Sequence, residues 1–374
     1  MEDITLILLL AAGLSLIFTL FVTPRVVKVA HALKLYDLPD DERKIHKLPI
    51  PRLGGMMFLP IMLVTMTIIV VVLMRLGMYE RLCSNLSMEH WMAFIAGGMM
   101  LFSIGLFDDI KRVPYKLKFS IQMLTGVLMC ISGLWIADMA HVFFIDEVPW
   151  WFGMPLTILT VVYVTNAMNL IDGIDGLSSG LSIIALICIT FLFVITEQFF
   201  WALCSASLLG VVCGFFYYNV FGKKDKTFMG DAGSLTLGFT LCFLLLHFWQ
   251  RNPVWNPAMH NIGIVAVSTL IIPLFDFTRV TLSRLRDHRP PFMPDKNHIH
   301  HKLMRAGLGT RMTMVVLLLL QIGFIVVNYL VASFMSQTLM VVADIVLFTL
   351  MHIIINCFIY RNIGRQDIEW KRIF

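Results

Sequence analysis

Long apolar stretches are the feature that most constrains how this chain can fold. About eleven runs of roughly 20 residues follow one another between short polar breaks. They lie near residues 4–23, 53–74, 90–107, 117–136, 152–168, 178–196, 199–218, 232–249, 261–282, 312–332 and 338–360. Runs of this length with few charges are typical of helices that cross the hydrocarbon core of a bilayer. The sequence therefore predicts an all-α, polytopic membrane protein with about 11 transmembrane helices.

The composition supports a membrane protein, since 58% of the residues are hydrophobic and only 14% are charged. A soluble chain carries about 25% charged residues and uses them to cover its surface. Glu2 and Asp3 precede the first run, and the basic segment of a secretory signal peptide is missing, so we expect a retained first span. Six of the seven cysteines lie inside apolar runs, which argues against a disulfide framework.

Basic residues are distributed unequally between the two sets of loops that alternating spans create. One set receives Arg75, Arg81 and Arg251, and the other 26 of the 29 Lys and Arg lie in or beside the opposite loops. The positive-inside rule makes the basic side the cytoplasm, with the N-terminus outside and the C-terminus inside. A net charge of +5 gives no support to a nucleic-acid partner.

Residues 1–374 show no separate soluble domain, so we expect a single integral membrane domain. Its active site is predicted in the cytoplasmic loops at about 24–52, 108–117, 166–177, 219–234 and 276–311.

Two acidic motifs follow predicted spans on this side. Asp108 and Asp109 are adjacent carboxylates, which repel each other unless a cation or a proton relieves them. The alternative is a solvated helix end.

Asn166, Asn169, Asp172 and Asp175 recur at steps of three, which would place them on one face of a helical turn. A charge at the centre of a membrane helix costs about 2.5 to 3.5 kcal/mol, so such a row should line a wet site. Its oxygen donors suit Mg²⁺. The alternative is a polar helix end with an Asx-turn.

A basic, glycine-containing segment at 219–234 opens the eighth span. Free backbone N–H groups at a helix start favour phosphate. Asp231 is either a site residue or an N-cap, and Phe228 either stacks on a base or is an interfacial aromatic.

Arginines and histidines gather after the ninth span, at Arg279, Arg284, Arg286, Arg289, His298, His300 and His301. Arginine binds phosphate oxygens in a bidentate manner. The histidines suggest zinc, but no Cys or Glu stands at ligand spacing, so phosphate contact is favoured. Asp276 is open to a purely structural pairing with Arg279 or Lys302.

Together these residues indicate phosphoryl transfer at a membrane surface, where alignment and charge neutralisation do most of the chemistry. A transporter is the alternative from another class. Transporters bind near the midplane and often show internal repeats, whereas these clusters end spans and no repeat is visible. Asp344 and His352, inside the last run, fit a transporter best.

The chain resembles the polyprenyl-phosphate N-acetylhexosamine-1-phosphate transferase superfamily of the glycosyltransferase 4 type, from Pro51 to about Gly307. Five motifs carry the resemblance, in family order: Asp108-Asp109, the Asn166–Gly176 run, Phe228-Met-Gly-Asp231-Ala-Gly-Ser234, Pro273-Leu-Phe-Asp276 and His298-Ile-His-His301. The His-x-His-His form resembles the WecA/TagO branch, which uses UDP-N-acetylglucosamine. UDP-GalNAc and UDP-MurNAc-pentapeptide remain alternative donors.

The resemblance implies a role for each matching residue. It implies Mg²⁺, or alternatively Mn²⁺, at Asp231 and Asn169, with Asp172 in the same catalytic cluster. Asp175 and Asn219 would face the uracil and Phe228 would stack on it, while Asp108, helped by Asp109, would receive the proton of the lipid phosphate. Catalytic His298 would hold the pyrophosphate and sugar together with Arg284, His300, His301 and Arg305, and Lys47 would lie on the phosphate side.

The resemblance further implies undecaprenyl phosphate as acceptor, in a bacterial cytoplasmic (inner) membrane and surrounded by membrane lipid. Whether the lipid phosphate attacks directly or through a phospho-enzyme stays open, and direct attack is favoured because this phosphate is already a nucleophile. One chain does not determine the oligomeric state, and a homodimer is an open alternative.

Overall fold

The fold is described by a computed structural model that covers residues 2–37, 50–251, 261–290 and 297–363. These residues are almost wholly helical. The helices are α1 (Glu2–Ala32), α2 (Phe58–Arg75), α3 (Tyr79–Cys83), α4 (Met88–Lys111), α5 (Tyr115–Ile131), α6 (Trp150–Ile171), α7 (Leu177–Ile195), α8 (Phe199–Phe221), α9 (Gly230–Arg251), α10 (Ile262–Ser268), α11 (Ile271–Arg286), α12 (Ile299–Arg305), α13 (Thr310–Val331) and α14 (Gln337–Ile363).

Every apolar run of the sequence lies mostly within helix, so the expected all-α, polytopic class is confirmed. Within the described ranges, nine helices are long and apolar enough to cross a membrane. α10 and α11 would form a tenth span that is bent by 68°. The remaining run corresponds to α5, whose 17 residues are at the short end of what a bilayer requires. Which end of each span faces the cytoplasm stays a prediction.

The first span extends further than expected, because α1 continues through Pro24 to Ala32. The prediction of a loop from residue 24 is therefore wrong for its first nine residues. A proline inside a helix leaves the carbonyl four residues earlier without its usual donor. Here that carbonyl belongs to Leu20, and the Tyr218 hydroxyl of α8 donates to it at 2.9 Å. This tertiary hydrogen bond stabilises the helix where the sequence predicts its end.

The most buried helix is α9, in which 94% of the apolar segment lies inside the protein, followed by α8 with 83%. The corresponding share is 28% in α1, α13 and α14, which leaves most of their apolar surface for lipid. α9 packs against α4, α6 and α7. Because α9 is central, its first two residues, Gly230 and Asp231, lie next to the ends of two neighbouring spans.

Two short antiparallel pairs complete the fold. β1 (Tyr36–Asp37) pairs with β2 (Ile50–Pro51), which leads into a 3-10 helix at Leu53–Met57. β3 (Asp138–Val142) pairs with β4 (Ile145–Glu147) as a hairpin between α5 and α6. All seven cysteines are free, so the expectation of no disulfide framework is confirmed.

Candidate active site

The start of α9 is capped by a carboxylate from another span. Asp109, in the last turn of α4, accepts the backbone N–H of Asp231 at 2.8 Å through one oxygen and that of Ala232 at 2.9 Å through the other. The cap of α9 therefore comes from Asp109, and the alternative that Asp231 is itself the N-cap is wrong. The side chain of Asp231 is left free to contact other groups.

Lys118 joins Asp108 at the end of α4 to Asp231 at the start of α9. Its Nζ lies 2.7 Å from Oδ2 of Asp231 and 3.2 Å from Oδ2 of Asp108, while the other Asp108 oxygen accepts the Val113 N–H at 2.5 Å. One ammonium group thus relieves the repulsion between two carboxylates. Lys118 lies in the first turn of α5, outside the motifs that the sequence singles out. A lysine within an apolar helix is unusual enough to suggest a buried partner.

Asn169 on α6 also contacts Asp231. Its Nδ2 donates to Oδ1 of Asp231 at 3.1 Å and to Oγ of Ser234 at 2.7 Å. Asn166, one turn earlier, donates instead to Gln122 at 2.7 Å and takes no part in this cluster.

α6 ends at Ile171, so the expectation that four polar residues share one helical face is wrong beyond Asn169. Asp172 and Asp175 lie in the turn before α7. Asp172 has no hydrogen-bond partner among the described residues. Burial raises its pKa well above the usual range, and the negative charges of Asp175, Asp231 and Asp109 raise it further. Such a carboxylate would be stabilised by a cation.

The donor set of this cluster fits Mg²⁺ better than zinc. Across the described ranges, no group of three or more His, Cys, Asp or Glu side chains is arranged to hold a metal. Mg²⁺ needs no such cage, since it usually binds one or two carboxylates and completes its shell with water and substrate phosphates. Asp231, Asp172 and the amide oxygen of Asn169 offer hard donors of that kind.

Asn219 supports the turn and the loop on either side of the cluster. Its Oδ1 accepts the Gly176 N–H at 2.6 Å, and its Nδ2 donates to the Thr227 carbonyl at 2.9 Å. The side chain is buried, with 4% of its surface exposed. Both polar groups are engaged with backbone, which indicates that Asn219 acts through the segments that it holds.

Asp175 and Phe228 lie beside these segments. Asp175 pairs with Nζ of Lys226 at 2.5 Å and is partly exposed. Phe228 is half-buried, and its backbone hydrogen-bonds to Pro51 and Gly54 at 2.8 and 2.9 Å. The region around Gly54 therefore fixes the loop that precedes α9.

The backbone conformation and close neighbours of Gly230 explain why this loop contains a glycine. Its φ is +68°, a conformation that side chains rarely adopt, and an added Cβ would clash with the Arg52 carbonyl and the Asp109 carboxylate. Close backbone approach at Gly230 is what lets Asp109 reach the start of α9.

A second cluster is formed by α11 and α12. Asp276 on α11 is fully buried, and its Oδ2 lies 2.8 Å from Nδ1 of His298. Its Oδ1 accepts from the Ile299 N–H and from Arg279, both at 2.9 Å. The sequence left open whether Asp276 only pairs with Arg279 for structure. That pairing is present, and Asp276 also contacts His298, one of the predicted site residues.

α12 packs against the acidic turn. A Cβ on Gly173 would clash with the ring of His300, whose two nitrogens are buried and have no hydrogen-bond partner within the described residues. Burial lowers the pKa of His300 to about 3, helped by the neighbouring His301. At neutral pH His300 is therefore uncharged and offers one N–H rather than a positive charge.

The remaining predicted residues are spread around this cluster. Arg284 is buried, whereas Arg305 is exposed and donates to Oδ1 of Asn297 at 3.2 Å. His301 is half-buried, with its ring 4.2 Å from that of His300. Lys47 lies outside the described residues.

Asp344 and His352, the residues that best fitted a transporter, lie inside the helical bundle. Asn328 of α13 donates to both oxygens of Asp344 in α14, at 2.9 and 3.1 Å. His352 packs on Phe348 at 4.8 Å between ring centres. The Asp344 contact joins two neighbouring helices and needs no transported solute to explain it.

Comparison with known proteins connects this site to a family. Residues 91–248, which include Asp108 and Asp231, match the family model described as glycosyl transferase family 4. The chain is 31% identical over 314 residues to the probable undecaprenyl-phosphate N-acetylglucosaminyl 1-phosphate transferase of Bacillus subtilis (strain 168), which covers 83% of this chain and 80% of that protein.

Two enterobacterial proteins named undecaprenyl-phosphate alpha-N-acetylglucosaminyl 1-phosphate transferase are similar to about the same degree. The Yersinia pestis protein is 30% identical over 307 residues, with 78% of this chain and 75% of that protein covered. The Escherichia coli (strain K12) protein is 30% identical over 304 residues, with the same shares.

Proposed function

The chain belongs to glycosyl transferase family 4, and on that basis we propose that it transfers N-acetylglucosamine-1-phosphate from UDP-N-acetylglucosamine to undecaprenyl phosphate. The products are undecaprenyl-diphosphate-N-acetylglucosamine and UMP. The names of three relatives support this reaction. The observation that carries it is the convergence of three spans at one cluster: Asp108 and Asp231 both contact the Lys118 ammonium, and Asn169 donates to Asp231.

In the reaction, an oxygen of the lipid phosphate attacks the phosphorus that bears the sugar. A new P–O bond forms, the bond between the two phosphates of the donor breaks, and UMP leaves. The main barrier is repulsion between anions, so the protein has to align them and neutralise charge. Lys118 supplies positive charge at the acidic cluster, and Asp108 is partly exposed and suited to receive the proton of a monoprotonated lipid phosphate.

Mg²⁺ belongs to this proposal as the cofactor. Asp231, Asn169 and Asp172 would hold it, because a cation would offset the burial and the negative charges of Asp175, Asp231 and Asp109 that raise the pKa of Asp172. When bound, the ion would withdraw charge from the phosphate oxygens. Mn²⁺, with similar oxygen ligands, is the substitute that we expect to work.

The nucleotide end of the donor is assigned to the segments around Asp175 and Phe228, with Asn219 holding both segments in place. The phosphates and sugar are assigned to His298, His300, His301, Arg284 and Arg305, with Lys47 as a further phosphate contact. Contact between α12 and Gly173 supports this division, because it brings the histidines next to the acidic turn.

The reaction is placed at the cytoplasmic face of a bacterial inner membrane, where the basic loops are predicted. Its product would be the first lipid-linked intermediate of a cell-envelope polysaccharide.

The test uses purified protein in detergent with undecaprenyl phosphate, labelled UDP-N-acetylglucosamine and Mg²⁺, and measures UMP and labelled lipid together. EDTA and Asp231→Ala should abolish both products. UMP formation from UDP-GalNAc or UDP-MurNAc-pentapeptide, but not from the proposed donor, would keep the reaction and change the substrate. Folded protein that releases no UMP from any of them would contradict the enzyme and favour the transporter.

A further inference from the structure

Asp276 makes contacts that none of the roles above accounts for. It lies on α11 within the bent pair of helices and is 0% exposed. Its three polar neighbours are the ring nitrogen of His298, the backbone N–H of Ile299 and the guanidinium of Arg279, at 2.8, 2.9 and 2.9 Å. The carboxylate is the acceptor at each contact, as an ionised carboxylate has to be.

The contact with His298 determines which ring nitrogen is available. An ionised carboxylate has no proton to give, so Nδ1 of His298 carries a proton and donates to Asp276. The other nitrogen, Nε2, is buried and has no hydrogen-bond partner within the described residues. Leaving a buried polar atom unpaired is costly, which indicates that a ligand or water completes Nε2.

The contact with Ile299 extends the effect of Asp276 from the ring to the helix. Ile299 is the first residue of α12, so the carboxylate that orients His298 also holds the start of this helix. The rings of His298 and His300 lie nearly parallel, with centres 5.9 Å apart, and His300 packs against Gly173 of the acidic turn. A shift of Asp276 would therefore be transmitted to both histidines.

We propose that Asp276 is a positioning residue for His298, which it orients so that Nε2 contacts a phosphate oxygen of the sugar nucleotide. This inference rests on the proposed function, because it assigns a task within that reaction. With Nδ1 donating to Asp276, Nε2 donates to the phosphate oxygen when the ring carries a proton on both nitrogens, and the Asp276 carboxylate then balances that charge. The charged or titratable groups around the ring are Asp276 and Arg279 from α11 and His300 from α12.

The test is a double-mutant cycle built from Asp276→Asn, His298→Ala and the double variant. Loss of a charge-assisted hydrogen bond corresponds to a fall in kcat of about 10- to 100-fold for Asp276→Asn, with KM for UDP-N-acetylglucosamine changed by less than about threefold. In the His298→Ala background, Asp276→Asn should lower kcat by less than about twofold, because the ring through which Asp276 acts is gone. Additive losses, or an unchanged kcat in Asp276→Asn, would overturn the proposal.

The dependence on background separates positioning from general structural support. A residue that acts through the His298 ring lowers kcat when the ring is present and has little further effect when the ring is absent. A purely structural residue would lower kcat by the same factor in both backgrounds.

Asp344→Asn is the matched control, since it is also a change of a buried aspartate in a membrane helix. It should leave kcat and KM unchanged. If Asp276→Asn does not fold, ¹⁵N NMR of ring-labelled histidine in the unmodified protein tests the contact directly, with His298→Ala used for assignment. A neutral His298 with its proton on Nε2 would overturn the proposal. This NMR result does not depend on turnover, so failure of the proposed reaction is distinguishable from failure of the contact.

Discussion

Asp109 accepts the backbone N–H of Asp231 at 2.8 Å. The carboxylate at the end of α4 therefore caps α9, the helix that carries the carboxylate of Asp231. Both oxygens of Asp109 are used in this way, because the second accepts from Ala232. Its neighbour Asp108 instead contacts Lys118. Two adjacent aspartates that look equivalent in the sequence therefore have different surroundings and should respond differently to substitution.

Asp109→Asn should lower the stability of the protein. Asp108→Asn should lower its activity and leave its stability unchanged. The amide introduced by Asp109→Asn would turn an N–H towards a backbone N–H, and loss of a helix cap costs about 1 to 2 kcal/mol. Asp108→Asn removes the proposed proton acceptor and should reduce kcat by about 100-fold or more. Thermal melting in detergent and initial rates measure the two effects. Equal melting temperatures in the two variants would contradict the distinction.

Lys118→Gln should slow the reaction and also change its metal requirement. The loss of one cation at the cluster should reduce kcat/KM by about tenfold, which corresponds to ~1.4 kcal/mol. Without the competing ammonium, Mg²⁺ would be the cation that relieves the repulsion between Asp108 and Asp231, so the Mg²⁺ concentration for half-maximal activity should fall.

Activity measured over a range of Mg²⁺ concentrations tests this, with Lys116→Gln as the control. Lys116 is an exposed lysine on the same helix, and its replacement should change neither quantity. A rise in the half-maximal Mg²⁺ concentration of Lys118→Gln would show that Lys118 helps to bind the metal rather than competing with it.

The order and class of the helices could be predicted because the length of each apolar run and its low charge are local properties of the sequence. The ends of the spans that carry Asp108, Asn169 and Asp231 were recognisable for the same reason, since carboxylates and amides are conspicuous beside apolar residues. These residues do come together in the structure.

What the sequence could not supply are partners chosen by packing between distant helices. Lys118 and Asp231 are separated by 113 residues, and they become a pair because α5 and α9 both pack against α4 and α6. Both polar groups of the Asn219 side chain contact backbone, at Gly176 and Thr227, and the sequence does not reveal these contacts. Helix α1 passes Pro24 because Tyr218 of α8 satisfies a carbonyl, which no local pattern reveals.

Gly173→Ala should disturb the contact between the acidic turn and α12. The added methyl group would clash with the ring of His300, which is buried and has little room to move. Displacement of a catalytic group by about 1 Å can cost on the order of 100-fold in rate, so kcat should fall well before stability does.

Gly323→Ala is the control for the glycine change itself, because nothing lies within 4 Å of a Cβ at that position in α13. It should leave kcat unchanged and raise the melting temperature slightly, since alanine favours helix. Normal kcat in Gly173→Ala would mean that α12 can retreat from the turn without affecting the reaction.

Lys302 should make stability depend on pH above neutrality. Burial lowers its pKa to about 7, with the charges of Arg279 and Arg305 adding to the effect, whereas in the unfolded chain it would titrate near 10.5. Between these values the unfolded chain binds the extra proton, so the free energy of unfolding should rise with pH, by at most about 1.4 kcal/mol per unit. Lys302→Met should flatten this dependence between pH 7 and pH 9 and raise the melting temperature most at the lower pH, whereas Lys116→Met should not. Parallel pH dependence of melting in the unmodified protein and Lys302→Met would show that Lys302 stays charged when buried, with Asn356 and its other contacts compensating for the cost.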